Sequence, residues 1–201
     1  LAAPDCTTVA GLRDRAMLHL TYAAGLRVSE LLALQMGDFS DRSLSTVRVL
    51  GKGRRERVLP LWKETQTVLR TWIAVRPSVQ VQELFVNREG RPLSRDGFAH
   101  RLAVHVAAAA RKKPTLAEKR VTPHVLRHSC AMHTLEATGD IRKVSLWLGH
   151  ASLQSTEAYL RVDPAEKLAI LAANAAPAVP KGRFRTPDRL LAMLAELQKT
   201  R

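Results

Sequence analysis

Apolar positions near the start of the chain recur at helical spacing. The first such stripe comprises Leu12, Ala16, Leu20 and Ala23. Thr7 or Thr8 stands where a helix N-cap is expected, and Gly25 stands where a helix commonly ends. The pattern therefore predicts a helix reaching about Ala24 and a second helix that starts near Val28.

Between residues 46 and 60 the spacing of apolar positions changes from the helical repeat to an alternation of every second residue. Val47 and Val49 alternate with neighbours of other character, residues 51–54 read Gly-Lys-Gly-Arg, and a second short run extends from Arg57 to Pro60. Alternation on both sides of a glycine-rich turn indicates a β-hairpin with a lysine at its tip. The apolar run at residues 84–86 suggests a third strand.

Helix start and stop signals account for most of the remaining chain. Ser94 is placed to cap a helix to about Arg111, and Thr122 precedes a proline that opens a helix ending near Gly139. Asp140 caps a helix that ends at Gly149. Further helices are expected around Tyr159, over residues 164–173 and from residue 187 onwards. The fold class predicted is mainly α with a small antiparallel β-sheet, that is, α+β.

A change in composition divides the chain near residue 175. Residues 174–186 are rich in alanine, proline and basic residues, which is typical of a linker. The helix after them carries an apolar stripe that needs a partner surface: Leu190, Leu191, Leu194 and Leu197. We expect one domain over residues 1–175, followed over residues 176–201 by a linker and a C-terminal amphipathic helix.

Charge points to a polyanionic partner. The chain has 32 Lys and Arg against 18 Asp and Glu, a formal net charge of +14. Nucleic acid suits such a surface because neutralising phosphates releases condensed counterions. An acidic membrane surface would favour a single basic amphipathic helix, whereas these charges are spread along the chain, and no apolar run is long enough to cross a bilayer. Cys6 and Cys130 are interpreted as reduced thiols, with Cys130 packed in a helix.

Three short motifs could carry chemistry. Arg27 stands at a helix start, where an arginine is usually a solvated charge. His124, Arg127 and His128 share one helical face, which presents either a cationic surface or, with lower probability, two zinc ligands. Zinc is disfavoured because Val125 occupies the place of the glutamate in the metalloprotease pattern. His150 follows a glycine and precedes Tyr159 by nine residues; alone, each is more often structural.

Taken in order, these motifs resemble those of the tyrosine recombinases. The matching pattern is Gly-Leu-Arg-x-Ser-Glu at 25–30, Gly-Lys-Gly on a hairpin at 51–53, His-x-x-Arg-His at 124–128, Leu-Gly-His at 148–150 and a tyrosine nine residues later. Each motif alone is weak, but five in the same order and spacing are highly specific. The resemblance covers about residues 8–175 and implies the tyrosine recombinase catalytic-domain fold.

The resemblance implies roles for individual residues. Arg27 and Arg127 would hold the non-bridging oxygens of the scissile phosphate, and Tyr159 would form a 3′-phosphotyrosyl bond. The other implied catalytic residues are Lys52, which protonates the leaving 5′ oxygen, His124, which assists proton movement, and His150, which hydrogen-bonds the phosphate. Glu30 and His128 would support the site. The implied reaction is metal- and ATP-independent, so no cofactor is expected.

Basic residues near these motifs are candidates for contact with the DNA backbone. The candidates on the hairpin are Arg48, Arg54, Arg55 and Arg57. Those before the His124 helix are Arg111, Lys112, Lys113, Lys119 and Arg120. The alternative for both groups is a charged surface that only faces water.

The function predicted is site-specific DNA recombination of the integrase or transposase type. A type IB topoisomerase-like enzyme and a non-catalytic DNA-binding protein are the alternatives. The resemblance further implies double-stranded DNA as partner, a homo-oligomer on DNA such as a tetramer, and a C-terminal helix that docks in cis or on a neighbouring subunit. The separate N-terminal core-binding domain of the family is expected to be absent from this chain, and a cytoplasmic, nucleoid-associated location is expected.

Overall fold

The computed structural model describes residues 1–39, 43–51 and 56–149. Six α-helices and two strands lie in these ranges: α1 Val9–Ala23, α2 Val28–Ala33, β1 Thr46–Leu50, β2 Glu56–Pro60, α3 Lys63–Val75, α4 Arg95–Ala110, α5 Pro123–Thr138 and α6 Ile141–Leu148. Single turns of 3-10 helix cover Met36–Asp38 and Pro114–Leu116. The mainly helical α+β class predicted from the sequence is confirmed. The predicted hairpin turn, the helices beyond residue 150 and the C-terminal linker lie outside the described residues.

Helix boundaries follow the capping signals in the sequence. Thr8, Ser94 and Thr122 each accept a hydrogen bond from a backbone N–H in the first turn of the following helix. Asp140 does the same for α6. Gly139 ends α5 with a φ of +63°, a left-handed conformation that glycine adopts without steric cost.

The two strands form an antiparallel hairpin. Val49 lies opposite Arg57 and Val47 lies opposite Leu59. Because side chains of opposed residues share a face of the sheet, these four point to the same side. Val47, Val49 and Leu59 are buried on that side, so Arg57 shares a face with three core residues.

Helix α3 is not among the elements predicted from the sequence. It buries Thr65, Leu69 and Trp72 at helical spacing. Its sequence is rich in β-branched residues, which have lower helix propensity, and Trp62 at its start provides no side-chain cap. The packing of α3 against α1 stabilises this helix, and the spacing of its apolar positions, rather than a cap, was the signal that could have identified it.

The prediction of a third strand at residues 84–86 is wrong: the described sheet contains two strands. Leu84, Phe85 and Val86 are fully buried, as a strand would be. Side chains, however, bond much of their backbone. The Leu84 carbonyl accepts from the Trp72 indole at 3.1 Å and from Arg76 Nε at 3.2 Å. These donors satisfy groups that a neighbouring strand would otherwise satisfy.

The core has two parts. The larger one surrounds α1 and extends to the hairpin, α3, the 84–86 segment and α4. The smaller one lies between α5 and α6 and contains Cys130, Ala131, Val144 and Leu148. Burial raises the pKa of the Cys130 thiol to about 11, as expected for a packing residue rather than a nucleophile. No helix in the described ranges is both long and apolar enough to span a bilayer.

Half-buried His19 on α1 makes stability dependent on pH. Burial, followed by the charge of Arg15, lowers its pKa from 6.5 to about 4. The unfolded chain therefore takes up a proton below pH 6.5 that the folded chain does not accept until about pH 4. The contribution of neutral His19 to the stability of the fold is therefore complete above pH 6.5 and is lost as the pH falls towards 4.

We expect the free energy of unfolding to fall between pH 7.5 and pH 5, with His19 contributing on the order of 1 kcal/mol of that loss. Urea unfolding of the native chain and of His19→Gln at both pH values measures the effect. The substituted chain should lose less stability than the native chain. An equal loss in the two proteins would rule out His19 as the source.

Candidate functional site: an arginine cluster around Glu30

The junction between α1 and α2 brings the first candidate residue, Arg27, out of the core. Gly25 adopts a φ of +57°, and Leu26 is fully buried after it. Arg27 then takes the N-cap position of α2 with extended backbone. Its backbone N–H donates to Glu30 Oε2 at 2.9 Å, so the first turn of α2 is capped by its own glutamate.

The carboxylate of Glu30 is the centre of an ion-pair network. Glu30 is 5% exposed. Arg27 Nη1 donates to its Oε1 at 2.8 Å. Arg57 donates from Nη1 to Oε1 at 3.2 Å and from Nη2 to Oε2 at 2.8 Å. This bidentate pairing fixes the orientation of the guanidinium relative to the carboxylate. Arg127 Nη1 lies 3.6 Å from Oε2.

Arg127 also joins the ends of two other helices. It lies on α5, and its side chain is 5% exposed. Its Nη1 donates to the carbonyl of Gly25, and its Nη2 donates to the carbonyl of Leu148 at 2.8 Å. Arg127 thus connects the end of α1, the end of α6 and the carboxylate at the start of α2.

Two glycines permit the close approach of these segments. A Cβ on Gly25 would lie 2.5 Å from Leu148 Cδ2, and a Cβ on Gly149 would lie 2.9 Å from Arg57 Cδ. Both glycines also have positive φ, so a side chain at either position would meet both strain and collision. Gly149 therefore holds the backbone just before His150 against Arg57.

We call Arg27, Arg57 and Arg127 around Glu30 the arginine cluster. Burial acts to raise the pKa of Glu30, but hydrogen bonds from Arg57 and Arg27 outweigh it, so the pKa lies below its ordinary value. Glu30 is therefore ionised at neutral pH. Three guanidinium groups against one carboxylate leave an excess of positive charge, which suits the binding of an anion.

The members of the cluster differ in how accessible they are. The side chain of Arg27 is 38% exposed, against 10% for Arg57 and 5% for Arg127. Among the described residues no acceptor is found for Nε or Nη2 of Arg27. Arg27 is therefore the member best placed to meet an incoming ligand.

His124 and His128 lie on the first two turns of α5, and both are exposed. His124 is one turn before Arg127 on the same helical face. Partial burial, followed by the charge of His124, lowers the pKa of His128. Within the described ranges, no three His, Cys, Asp or Glu side chains gather into a group that could hold a metal ion.

The candidate DNA contacts fall into two groups. One group is exposed at and after the end of α4: Arg111, Lys112, Lys113, Lys119 and Arg120. Arg48 on β1 is also exposed and is paired with Asp38 at 3.2 Å. Arg57, predicted as another such contact, is a member of the arginine cluster. The alternation of β2 was the available signal, because it puts Arg57 on the face of buried Leu59.

The remaining predicted site residues lie outside the described residues. They are Lys52, Arg54, Arg55, His150 and Tyr159. The structure thus brings together Arg27, Glu30 and Arg127, with His124 on the same helix as Arg127. Gly149, which precedes His150 in the sequence, lies against Arg57 of the cluster.

Comparison with known proteins agrees with the motifs. The sequence model of the phage integrase family matches residues 1–166. A putative integrase/recombinase of Sinorhizobium fredii, y4rC, is 41% identical over 98% of this chain and 59% of its own length. The tyrosine recombinase XerD of Listeria innocua is 39% identical over 81% of this chain and 54% of its own length. The chain therefore spans a little over half the length of these curated relatives.

Solved structures show the same fold. The XerA recombinase superposes with a TM-score of 0.68 at 26% identity, over 84% of this chain and 60% of XerA. The XerH site-specific recombinase, bound to palindromic difH substrate in a post-cleavage complex, gives 0.67 at 25% identity, over 84% of this chain and 47% of XerH. On these matches the chain belongs to the phage integrase family and has the catalytic-domain fold of a tyrosine recombinase.

Proposed function

We propose that this chain is the DNA-cleaving and DNA-rejoining part of a site-specific recombinase. The observation that carries the proposal is the convergence of Arg27 and Arg127, 100 residues apart in sequence, on the single carboxylate of Glu30. A pair of guanidinium groups held in this way can bind two non-bridging oxygens of a phosphodiester. XerH, which shares the fold, is itself a site-specific recombinase.

In the proposed reaction the phenolic oxygen of Tyr159 attacks phosphorus and forms a phosphotyrosyl bond at the 3′ end of the cut strand. The bond from phosphorus to the 5′ oxygen breaks, and Lys52 protonates that oxygen as it leaves. His124 assists the transfer of the phenolic proton, and His150 hydrogen-bonds the phosphate. Glu30 and His128 support the site.

Electrostatics favours this chemistry at the arginine cluster. An unperturbed tyrosine titrates near pH 10, so its anion is scarce at neutral pH and nearby cations favour it. The same cations stabilise the negative charge that builds on the non-bridging phosphoryl oxygens in the transition state. Each such donor contributes on the order of 100-fold in rate. Because the phosphotyrosyl bond conserves the energy of the phosphodiester, rejoining needs no ATP.

The partners proposed follow from charge and from the family. Double-stranded DNA is the proposed substrate, contacted by the exposed basic residues after α4 and by Arg48, Arg54 and Arg55. The proposed assembly is a homo-oligomer on DNA, such as a tetramer, with the C-terminal helix docking within the subunit or on its neighbour. A nucleoid-associated, cytoplasmic location follows from the same proposal.

Covalent capture tests the proposed function. The chain is incubated in EDTA, without ATP, with a pool of nicked duplexes that have a randomised core, and the products are separated on a denaturing gel. We expect a protein–DNA adduct, and we expect a strand with a free 5′ hydroxyl on a second duplex to be joined to the captured 3′ end. DNA binding without any adduct would support the non-catalytic alternative.

The topoisomerase-like alternative predicts a different result for the joining step and for a second assay, the relaxation of supercoiled plasmid. It requires an adduct and relaxation of supercoiled plasmid, without joining between two duplexes. The relatives and structures that match this chain are named as recombinases and integrases, which favours joining between duplexes.

A further inference from the structure

Of the three arginines in the cluster, Arg57 pairs most completely with Glu30. Both terminal nitrogens of its guanidinium donate to the carboxylate, at 3.2 and 2.8 Å, and its side chain is 10% exposed. The carboxylate therefore occupies the edge of the guanidinium between Nη1 and Nη2, and Nε on the neighbouring edge is buried, so neither edge is open to an incoming phosphate. Its strand neighbours Glu56 and Val58 are exposed, so Arg57 is turned inward from the surface of the hairpin.

The charge of Arg57 sets how strongly Glu30 holds the other two arginines. A buried carboxylate must be paired, because an uncompensated buried charge costs several kcal/mol. With Arg57 in place, Glu30 is gripped at both oxygens, and Arg127 lies at 3.6 Å, beyond hydrogen-bond distance. Without Arg57 the carboxylate would hold Arg127 and Arg27 more tightly and shift their guanidinium groups out of the geometry that the transition state requires, while both would stay near the phosphate.

Arg57 also lies where three segments meet. It is on β2, which begins four residues after Lys52 in the sequence, and it pairs with α2 through Glu30. Its side chain is packed against the backbone of Gly149, which leaves no room for a Cβ there. The side chain of Arg57 thus links three parts of the chain: strand β2, helix α2 through Glu30, and Gly149.

We propose that Arg57 is a positioning residue for phosphodiester cleavage, which acts by neutralising Glu30 and tying the hairpin to the Arg27–Arg127 pair rather than by contacting DNA. The inference rests on the proposed function. It predicts that loss of Arg57 slows the chemical step and leaves DNA affinity and its salt dependence unchanged. A phosphate-contacting arginine would do the reverse, since each phosphate contact contributes about 0.9 to the slope of log affinity against log salt.

The test compares Arg57→Gln with Arg70→Gln, a matched loss of one positive charge at an exposed position of α3. A nicked duplex recovered from the randomised pool serves as the probe. We expect Arg57→Gln to form the adduct about 100-fold more slowly at saturating DNA, the size of effect caused by a small misplacement of catalytic groups. Its Kd and salt slope should match those of Arg70→Gln, which should cleave at the native rate.

Two further variants separate positioning from a folding defect. Arg57→Lys keeps the charge over Glu30 but loses the fork, so it should stay folded and cleave at an intermediate rate. Arg57→Gln combined with Glu30→Gln removes both partners, and it should be no slower than Glu30→Gln alone because the two residues act as one unit.

The possible outcomes separately test the positioning role of Arg57, the proposed function of the chain and the action of Arg57 through Glu30. A native adduct rate in Arg57→Lys and Arg57→Gln, or a salt slope reduced by about one unit with normal cleavage at saturation, would overturn the positioning role alone. Absence of any adduct from the unsubstituted chain would overturn the proposed function, and the role of Arg57 with it. Additive losses in the double variant would contradict the action of Arg57 through Glu30.

Discussion

Tyr159→Phe is expected to abolish the covalent protein–DNA adduct while changing DNA affinity by less than about twofold. The substitution removes the one atom that would bond to phosphorus, and phenylalanine keeps the size and shape of the ring. The proposed contacts with the DNA backbone, which would dominate affinity, come from basic side chains that the substitution leaves in place. Covalent capture on a denaturing gel and a binding titration measure the two quantities.

The chain supplies its own control for this experiment, because it has two tyrosines. The hydroxyl of Tyr22 lies 2.6 Å from His133 Nδ1, and neither residue belongs to the arginine cluster. Burial raises the pKa of Tyr22, which makes its anion scarcer still. Tyr22→Phe should therefore form the adduct normally. An adduct that survives in Tyr159→Phe and disappears in Tyr22→Phe would reverse the assignment.

The sequence predicts the elements that local signals define. The caps Thr8, Ser94, Thr122 and Asp140 each stand where the structure places a helix start, because a side-chain oxygen and a short stretch of backbone determine a cap. The hairpin is equally local. The residues that join the arginine cluster were also identifiable, as Arg27, Glu30 and Arg127 fall in motifs with fixed spacing.

What the sequence does not predict depends on tertiary packing. Helix α3 has no side-chain cap and many β-branched residues, and it is stabilised by burying Leu69 and Trp72. Residues 84–86 are apolar like a strand, but the indole of Trp72 and the guanidinium of Arg76 take up the Leu84 carbonyl. Neither long-range donor can be seen in the segment itself. The same applies to Arg57, whose partner Glu30 lies 27 residues away in a different element.

Burial distinguishes the two arginines proposed to hold the phosphate. Arg27 pairs with Oε1 of Glu30 and retains a 38% exposed side chain. Arg127 is 5% exposed and supports the carbonyls of Gly25 and Leu148 as well as the carboxylate. One arginine is therefore mostly available to the ligand, whereas the other also holds the surrounding backbone together.

This difference gives Arg127→Ala a larger combined effect than any other single substitution in the cluster. Cleavage should fall by more than about 100-fold, and by more than DNA affinity falls, because the guanidinium matters most to the charge that builds in the transition state. Removing the Arg127 guanidinium also takes away its hydrogen bonds to the carbonyls of Gly25 and Leu148, and it leaves the negative charge of Glu30 less well compensated. We therefore expect a loss of about 3 kcal/mol in the free energy of unfolding.

Arg27→Ala is the matched comparison for Arg127→Ala. It should cost a similar factor in cleavage but only about 1 kcal/mol in stability, since water can replace much of what an exposed arginine provides. Single-turnover adduct formation measures the cleavage rate of each variant, under conditions where circular dichroism shows both to be folded. Urea unfolding measures the free energy of unfolding of each. If cleavage and DNA affinity fell equally in Arg127→Ala, its transition-state role would be contradicted. If both variants lost the same stability, the structural role would be contradicted instead, because only the buried guanidinium joins α1, α2 and α6.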